Sequence, residues 1–421
     1  MLIGAVPEFC YVDGLGKGEQ TQMKTIKIQQ AAVGMYVVAV SRQQGQVAVK
    51  SEGWIRSEQM LAQLKQKGVL ELQIDPDRQL EDTTPVTATP TAEIATPIHP
   101  GRPKVKLNQE LNKAKHLYQQ ARDLQRKAFA DIATGKSIDA EPFRQCAEGF
   151  IESVFRNQDA LLCMSRIRDK DAYLLEHSVN VSILMTVLAK HLQLPAEVIQ
   201  QLATGALLHD IGKIKVPDHI LHKPGKLTEA EFQLMRDHVV YSREILQQVP
   251  GLSPISLDVA AAHHEKLDGR GYPLGLAGGQ ISLYARMIAI VDTYDAITAK
   301  RVYKEGQTCL AALKILRKDS GSHFDTELVH RFISAVGIYP PGTLVRLNSQ
   351  KIGLVTETNW DDATKPKLKT FYHAKFQRYL ELQELDLASS KVDDAIEAIV
   401  KPEDYGIDLV KFFHQALVVS L

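Results

Sequence analysis

The feature that most constrains this chain is a set of metal-binding side chains spread over one stretch of the sequence. Donors so far apart can meet only if several helices each bring one or two of them to a shared pocket. Neutral imidazoles and carboxylates suit Mn²⁺, Fe or Zn²⁺, and two close metals bind the attacking and leaving oxygens of a phosphoryl displacement. The set is His177, His209, Asp210, His238, His263, His264 and Asp292.

The segments around these residues have the apolar periodicity of helices. Residues 173–194 predict an amphipathic helix with His177 near its start. The run 285–291, which precedes Asp292, fits a strand or a buried helix equally well, and we choose a helix because the surrounding chain is helical. The remaining ligands lie in the predicted helical stretches 203–213, 229–249 and 259–265.

Taken singly, a histidine at a helix end is more often a cap or a core residue than a metal ligand. We interpret four other histidines in that way: His191, His219, His222 and His323. Two adjacent ligand pairs and three further donors on apolar segments would be costly to bury without partners. The joint pattern therefore favours a metal site.

Three motifs follow one another in this region: HDIGK at 209–213, HHEKLDGRGYP at 263–273 and DTYDAIT at 292–298. In this order and spacing they resemble the HD-GYP phosphohydrolases, a branch of the HD superfamily. The resemblance covers residues 166–336 and implies a mainly α fold with the HD helical bundle as catalytic core. It also implies hydrolysis of cyclic di-GMP, a bacterial second messenger, to linear pGpG, and leaves further cleavage to GMP open.

The resemblance assigns roles to individual residues. The family's metal ligands match all seven positions named above, with Asp210 bridging two ions, and Asp210 and Lys213 are the expected catalytic residues. The family's phosphate-binding basic residues match Lys213, Arg301 and Lys304. Some members hold a third metal through a glutamate at the position of Tyr173. We therefore expect two divalent ions per chain, with Fe or Mn favoured.

Simpler interpretations of the substrate contacts stay open. Lys213 also fits a solvated lysine favoured by the dipole at a helix C-terminus. Arg301 and Lys304 lie three residues apart and also fit a solvated basic helix face. The expected substrate residue Tyr272 either stacks on a guanine, hydrogen-bonds a metal ligand, or anchors its loop on the core.

The Gly-Tyr-Pro loop, residues 268–273, is dense in turn-forming residues and interrupts the helical run. Its glycines allow the backbone to approach a ligand or a neighbouring helix closely. We expect Glu265 and Asp268 to orient the histidines as hydrogen-bond acceptors. Asp295, in contrast, is expected to be structural.

Composition sets limits on partners and compartment. The 50 basic and 50 acidic side chains give no global field, so neither nucleic acid nor a membrane is an expected partner. The cysteines Cys10, Cys146, Cys163 and Cys309 lack CxxC spacing and fit a reducing cytoplasm. No apolar run approaches membrane-spanning length. We therefore expect a cytoplasmic protein.

At 421 residues the chain is long enough for two or three domains. The N-terminal part resembles a small domain of unassigned function that precedes many HD-GYP domains, and it has no receiver-domain pattern. We predict a disordered leader at 1–23, a small α/β domain at 24–81, a linker at 82–105, a helical connector at 106–165, the HD-GYP catalytic domain at 166–336 and a small β-rich C-terminal extension at 337–421.

Our first interpretation is a metal-dependent cyclic di-GMP phosphodiesterase. A phosphodiesterase of 3′,3′-cyclic GMP-AMP is an alternative, because the metal chemistry is indifferent to the base. A non-catalytic cyclic di-GMP receptor is another, although the intact ligand set and Lys213 favour the enzyme. A homodimer, and a signalling protein bound through the Gly-Tyr-Pro loop or the N-terminal domain, are the protein partners we consider.

Overall fold

The computed structural model describes most of the chain. Contacts divide it into two units, Met1–Thr84 and Pro85–Leu421, which are treated in turn. The predicted leader and most of the predicted linker lie outside the described residues, as do Arg301 and Lys304. The described residues are 23–44, 53–55, 58–79, 103–166, 173–299, 306–409 and 412.

The first unit contains an antiparallel sheet with strand order β1-β4-β2-β3 and a helix packed on its apolar residues. Its elements are β1 Lys24–Lys27, β2 Met35–Gln43, β3 Gly53–Trp54, α1 Glu58–Gln66 and β4 Val69–Gln79. Gly68, between α1 and β4, has φ +77°, and a Cβ there would lie 2.5 Å from the carbonyl oxygen of Gln44. The expected small α/β fold is confirmed.

The second unit is mainly helical, as expected. Its central helix is α4, which is apolar on nearly all sides and packs against α3, α5, α10 and α12. The helices are α2 Leu107–Ala133, α3 Glu141–Arg166, α4 Tyr173–His191, α5 Ala196–Leu208, α6 Asp218–Leu221, α7 Glu229–Arg236, α8 His238–Gln247, α9 Pro254–Ala262, α10 Leu283–Thr298, α11 Cys309–Lys318 and α12 Thr326–Val336. Among the described residues, none of the helices has the length and apolar composition needed to cross a bilayer.

Two predicted helical stretches are interrupted. In α3 the backbone leaves helical geometry at Asn157, with φ −160° and ψ 100°. The Asn157 side chain donates to the carbonyl of Val105 and accepts from the backbone N–H of Asp159, both at 3.0 Å. The stretch predicted at 229–249 is divided at Asp237 into α7 and α8. The division makes His238 the first residue of a helix.

The C-terminal part forms an antiparallel sheet with strand order β8-β7-β6-β5-β9. Because successive side chains of a strand face opposite sides, Leu354 of β6 joins the helical core whereas Val355 joins a second small cluster. This sheet is the predicted β-rich part of the fold. Its strands are β5 Leu344–Leu347, β6 Lys351–Glu357, β7 Lys367–His373, β8 Arg378–Asp386 and β9 Ile396–Ile399.

Candidate metal centre

The helical unit brings all seven predicted ligands to one pocket. Six of them are almost fully buried, and the seventh, His264, has a side chain that is 27% exposed. His177 comes from the start of α4, His209 and Asp210 from the end of α5, His238 from the start of α8, His263 and His264 from the end of α9, and Asp292 from the middle of α10.

Asp210 lies at the middle of the pocket, and its two carboxylate oxygens face different histidines. Oδ2 lies 3.5 Å from Nε2 of His177 and 3.3 Å from Nε2 of His209. Oδ1 lies 3.4 Å from Nε2 of His238 and 3.9 Å from Nε2 of His263. A carboxylate with this placement can contribute one oxygen to each of two neighbouring sites.

Asp292 faces the histidines from α10. Its Oδ1 lies 2.9 Å from Nε2 of His177 and 3.8 Å from Nε2 of His209, and its Oδ2 lies 3.7 Å from Nδ1 of His264. Three groups of residues each have their donor atoms within 4.8 Å of one another. The groups are His177, His209 and Asp292; His209, Asp210 and His263; and His238, His263 and His264.

Four of the five imidazoles are held by a hydrogen bond at Nδ1, which leaves Nε2 directed at the other donors. Nδ1 of His209 and of His263 each bond the carbonyl three residues earlier, at 2.8 Å. Nδ1 of His238 bonds the carbonyl of Met235 at 2.5 Å. Nδ1 of His177 bonds Oδ2 of Asp295 at 2.8 Å. Such bonds fix the tautomer and the ring orientation of metal-binding histidines.

Only a glycine fits at position 212, two residues after the His-Asp pair. A Cβ at this position would lie 2.1 Å from the carbonyl oxygen of His238 and 2.3 Å from the amide nitrogen of Ser242. The backbone N–H of Gly212 donates to Oγ of Ser242 at 2.9 Å, and that hydroxyl donates to the carbonyl of His209 at 2.8 Å. The absence of a side chain therefore lets the turn Ile211–Lys215, which follows α5, lie against α8. This contact forms the junction of α5 and α8.

Unpaired atoms indicate what the pocket is built to hold. Nε2 of His209 and Oδ1 of Asp210 are buried and have no hydrogen-bond partner. Buried polar atoms are normally paired, so these two need an explanation. A cation held by imidazole nitrogens and carboxylate oxygens would satisfy both atoms. The residues present therefore fit divalent metal ions.

The electrostatics point the same way. Burial opposes charge on His177 and His209, but neighbouring carboxylates outweigh burial and raise the pKa of both imidazoles. Asp292 and Asp295 do so for His177, and Asp210 and Asp292 raise the pKa of His209 to about 10. Burial also opposes ionisation of Asp210, yet His209 and Lys213 hold the pKa of this carboxyl well below its usual range. The part of the pocket around His177 and His209 thus favours positive charge, which divalent cations supply without protonating the ligands.

The other three histidines remain neutral near pH 7. Burial lowers the pKa of His238 to about 4 and that of His264 to about 3, and it lowers the pKa of His263 well below the usual value. The neutral imidazole is the form that binds a metal. These three residues therefore need no proton release before a cation enters.

The expected substrate residues have different outcomes. Lys213 lies in the pocket, with Nζ 2.5 Å from Oδ2 of Asp210 and a side chain that is 17% exposed. Tyr272 packs on His264 with ring centroids 4.6 Å apart, and the guanidinium of Arg236 covers its ring at 4.5 Å. This packing holds the ring beside the ligand His264, and the substrate-binding role of Tyr272 stays a prediction. Arg301 and Lys304 lie outside the described residues.

The expectation for Glu265 and Asp268 was wrong. The carboxylate of Glu265 accepts from the backbone N–H groups of residues 274, 275 and 276 at 2.7–3.2 Å, so it holds the loop and not a histidine. Asp268 bonds the backbone N–H and the side chain of Arg270. The carboxylate that orients a histidine is Asp295, which sequence reasoning interpreted as structural. Its spacing from Asp292 of three residues, one helical turn, was the available signal.

Glu176, beside the ligand His177, is the residue that could replace the missing glutamate of a third metal site. It immediately precedes that ligand in the sequence and is 1% exposed. Its Oε1 lies 3.2 Å from Nη1 of Arg122 on α2. An ion pair with the half-buried Arg122 makes Glu176 a poor additional ligand.

Two family models match the chain. The model described as the HD domain matches residues 162–328, which include all seven ligands. A model described as a domain of unknown function (DUF3391) matches residues 23–143, from the start of the first sheet through α2.

Similar proteins were found among curated proteins and solved structures. A Pseudomonas aeruginosa protein named cyclic di-GMP phosphodiesterase is 36% identical over 378 residues, which cover 89% of this chain and 91% of that protein. A Vibrio cholerae protein named 3′3′-cGAMP-specific phosphodiesterase 1 is 38% identical over 187 residues, 44% of this chain and 42% of that protein. The structure of an HDG"Y"P protein from Bdellovibrio bacteriovorus matches 74% of this chain and 98% of its own, with 18% identity and a TM-score of 0.46.

Proposed function

This chain belongs to the HD-GYP family of HD-domain phosphohydrolases, and from that membership we propose that it hydrolyses cyclic di-GMP to linear pGpG. The observation that carries the proposal is the set of five histidines and Asp292 gathered with Asp210 in one pocket. The similarity to the Pseudomonas aeruginosa phosphodiesterase, which extends over 89% of the chain, supports the choice of substrate.

We propose two divalent ions per chain, with Fe or Mn favoured over Zn²⁺. His177, His209 and Asp292 would hold one ion and His238, His263 and His264 the other, with Asp210 shared between them. Imidazole and carboxylate donors suit these metals. The ion pair between Glu176 and Arg122 supports two ions and not three. When bound, such a pair supplies Lewis-acid polarisation of the phosphate oxygens and acidifies water.

The protein's own residues then have defined tasks. The buried histidines and aspartates are oriented before substrate arrives, so little reorganisation is needed during the reaction. Lys213 adds a positive charge beside Asp210, where it can offset the charge of a phosphodiester. Arg301 and Lys304 remain proposed phosphate-binding residues on the family resemblance alone.

A specific observation keeps 3′,3′-cyclic GMP-AMP as a second candidate substrate. A relative named for that activity is 38% identical over 44% of the chain, and a Vibrio cholerae relative named cyclic di-GMP phosphodiesterase is 38% identical over 41% of the chain. We place cyclic di-GMP first because the relative that matches nearly the whole chain carries that name. A cytoplasmic location, a homodimer and a signalling-protein partner remain predictions.

The test is turnover of each dinucleotide by purified protein loaded with Mn²⁺, or with Fe²⁺ under anaerobic conditions. Chromatography of the products should show pGpG from cyclic di-GMP, formed faster than any product of 3′,3′-cyclic GMP-AMP at equal concentration. Faster cleavage of 3′,3′-cyclic GMP-AMP would identify it, and not cyclic di-GMP, as the preferred substrate. Binding of cyclic di-GMP without turnover under any metal would identify a receptor.

A further inference from the structure

His264 is held differently from the other four histidines of the centre. Its Nδ1 faces Asp292 at 3.7 Å, whereas the other rings use Nδ1 for an orienting hydrogen bond. Within the described part of the chain, no hydrogen bond is made to the second ring nitrogen of His264. It is also the most exposed ligand, at 27% of its side chain. The orientation of this ring must therefore come from packing.

The ring of His264 packs against two others, the neighbouring ligand His263 at 4.2 Å between centroids and Tyr272 of the Gly-Tyr-Pro loop. The Tyr272 side of this packing continues to Arg236, the last residue of α7. The ring of Tyr272 lies 4.6 Å from that of His264, with an angle of 40° between the planes. The guanidinium carbon of Arg236 lies 4.5 Å from the centroid of the Tyr272 ring and 5.8 Å from that of Phe232. The tyrosine therefore lies between a cation and a metal ligand.

Arg236 is costly to keep in this place. Its Nε is buried without a hydrogen-bond partner. The positive charge of Arg236 favours the ionised form of Glu265, which bonds the amides of the same loop. An unpaired buried donor destabilises a fold, so the side chain is expected to provide something else in return. A planar, weakly hydrated guanidinium stacks on an aromatic ring in a way that an ammonium does not.

We propose that Arg236 is a positioning residue for the metal ligand His264 and that it acts through Tyr272. The inference rests on the proposed metal centre. The same short segment also orients a second ligand, because the carbonyl of Met235 accepts from Nδ1 of His238 at 2.5 Å. The end of α7 thus sets the orientation of two of the three imidazoles in the group formed by His238, His263 and His264.

The test compares metal affinity in the absence of substrate. Arg236→Met keeps the aliphatic stem and removes the planar charge, whereas Arg236→Lys keeps the charge alone. The matched control is Arg126→Met, which alters a 58% exposed arginine on α2. The dissociation constant for Mn²⁺ is measured from the electron paramagnetic resonance signal of free Mn²⁺, and folding is checked by thermal unfolding of the metal-free proteins.

We expect Arg236→Met to weaken Mn²⁺ binding at the site of His238, His263 and His264 by about 10-fold, the lower end of what loss of a supporting residue costs. Arg236→Lys should weaken it less, and Arg126→Met should leave it unchanged. Excess Mn²⁺ should restore kcat of Arg236→Met towards that of the parent, with little change in KM for cyclic di-GMP.

A double-mutant cycle tests whether the effect passes through the tyrosine. In a Tyr272→Ala background, Arg236→Met should weaken Mn²⁺ binding no further, because the stack is already broken. Tyr272→Phe, which keeps the ring, should bind Mn²⁺ as the parent does. Unchanged Mn²⁺ affinity in a folded Arg236→Met protein, or a change confined to KM, would overturn the inference. Neither result depends on which dinucleotide is cleaved, so the proposed function is tested separately.

Discussion

Asp295 is the clearest example, at the scale of single residues, of a side chain that acts on the centre without belonging to it. It is 1% exposed and accepts from Nδ1 of His177 at 2.8 Å. A carboxylate in this place fixes the ring and raises the basicity of the nitrogen that faces the metal. Its removal should therefore lower the affinity of the centre for metal ions.

Asp295→Ala should weaken Mn²⁺ binding by about 10–100-fold, since the ring of His177 loses its acceptor. Asp295→Asn keeps an acceptor oxygen and should lose less. Metal content by elemental analysis after dialysis measures the effect, with the exposed Asp361→Ala as control. Parent-like metal content in Asp295→Ala would show that packing alone holds His177.

Lys213 and Arg301 should differ in which kinetic constant they change. Lys213 lies beside the bridging carboxylate, so Lys213→Ala should lower kcat while the metals stay bound. Arg301→Ala should raise KM for cyclic di-GMP. The loss of charge-assisted hydrogen bonds to phosphate would weaken the free energy of binding by about 1.5–3 kcal/mol. Steady-state kinetics separates the two, and an unchanged KM in Arg301→Ala would make it a solvated surface arginine.

The ligands could be predicted from the sequence because residue type and burial restrict them strongly. The direction of each hydrogen bond could not. Glu265 and Asp295 both stand close to ligands in sequence, yet Glu265 bonds loop amides and Asp295 bonds a histidine. Which acceptor faces which donor depends on how helices that are far apart in sequence pack against one another. That packing cannot be inferred from the pattern of a single sequence.

At the scale of elements, helices were predictable and their interruptions were not. Apolar periodicity predicts the buried faces of α4, α5 and α10, because packing of those faces stabilises the helices. The break at Asn157 coincides with a tertiary contact, the bond from its side chain to the carbonyl of Val105, and a second break falls at Asp237. Neither residue is a glycine or proline that would have marked the break.

The junction of α5 and α8 gives a prediction for stability. Gly212→Ala should destabilise the metal-free protein by about 3 kcal/mol, because the added Cβ meets backbone atoms that cannot rotate away. Urea unfolding measures the change. The matched control is Gly279→Ala, which places a Cβ where no atom lies within 4 Å and should change stability by less than about 0.5 kcal/mol. Equal stability of the two variants would show that the backbone around Gly212 can move to accommodate a Cβ at little cost.

At the scale of the whole molecule, a buried carboxylate joins the helical core to the C-terminal sheet. Asp159 of α3 accepts from the backbone N–H of Thr358 at 3.1 Å and from its hydroxyl at 3.3 Å. Burial raises the pKa of Asp159 to about 7, against an ordinary value of 3.8. The stability this group contributes is therefore full below its unfolded pKa and is lost as the pH rises through about 7.

Asp159→Asn removes that titration and keeps an acceptor for Thr358. Between pH 5 and 7 the parent should lose stability relative to the variant, by at most about 1.4 kcal/mol per pH unit. Urea unfolding at several pH values measures the two slopes, and Asp361→Asn serves as an exposed control. Parallel slopes for parent and Asp159→Asn would show that Asp159 remains ionised in the fold.

The molecule as a whole was predictable as a mainly helical HD-GYP protein with small β-containing parts at both ends, and this is confirmed. The domain limits at residues 81, 105, 165 and 336 stay predictions. The C-terminal strands lie in the same unit as the helices and contribute Leu354 and Phe371 to the helical core. Composition alone does not show which face of a sheet is covered by another element.

The central claim is that a shared carboxylate and six further ligands form a two-metal phosphodiesterase centre. Titration of metal-free protein with Mn²⁺, while hydrolysis of cyclic di-GMP is followed, tests it most directly. The rate should reach its plateau at two Mn²⁺ per chain, and Asp210→Ala should show neither stoichiometric binding nor turnover, whereas the exposed Asp218→Ala behaves as the parent. A plateau at one or three ions, or full activity in Asp210→Ala, would contradict the account.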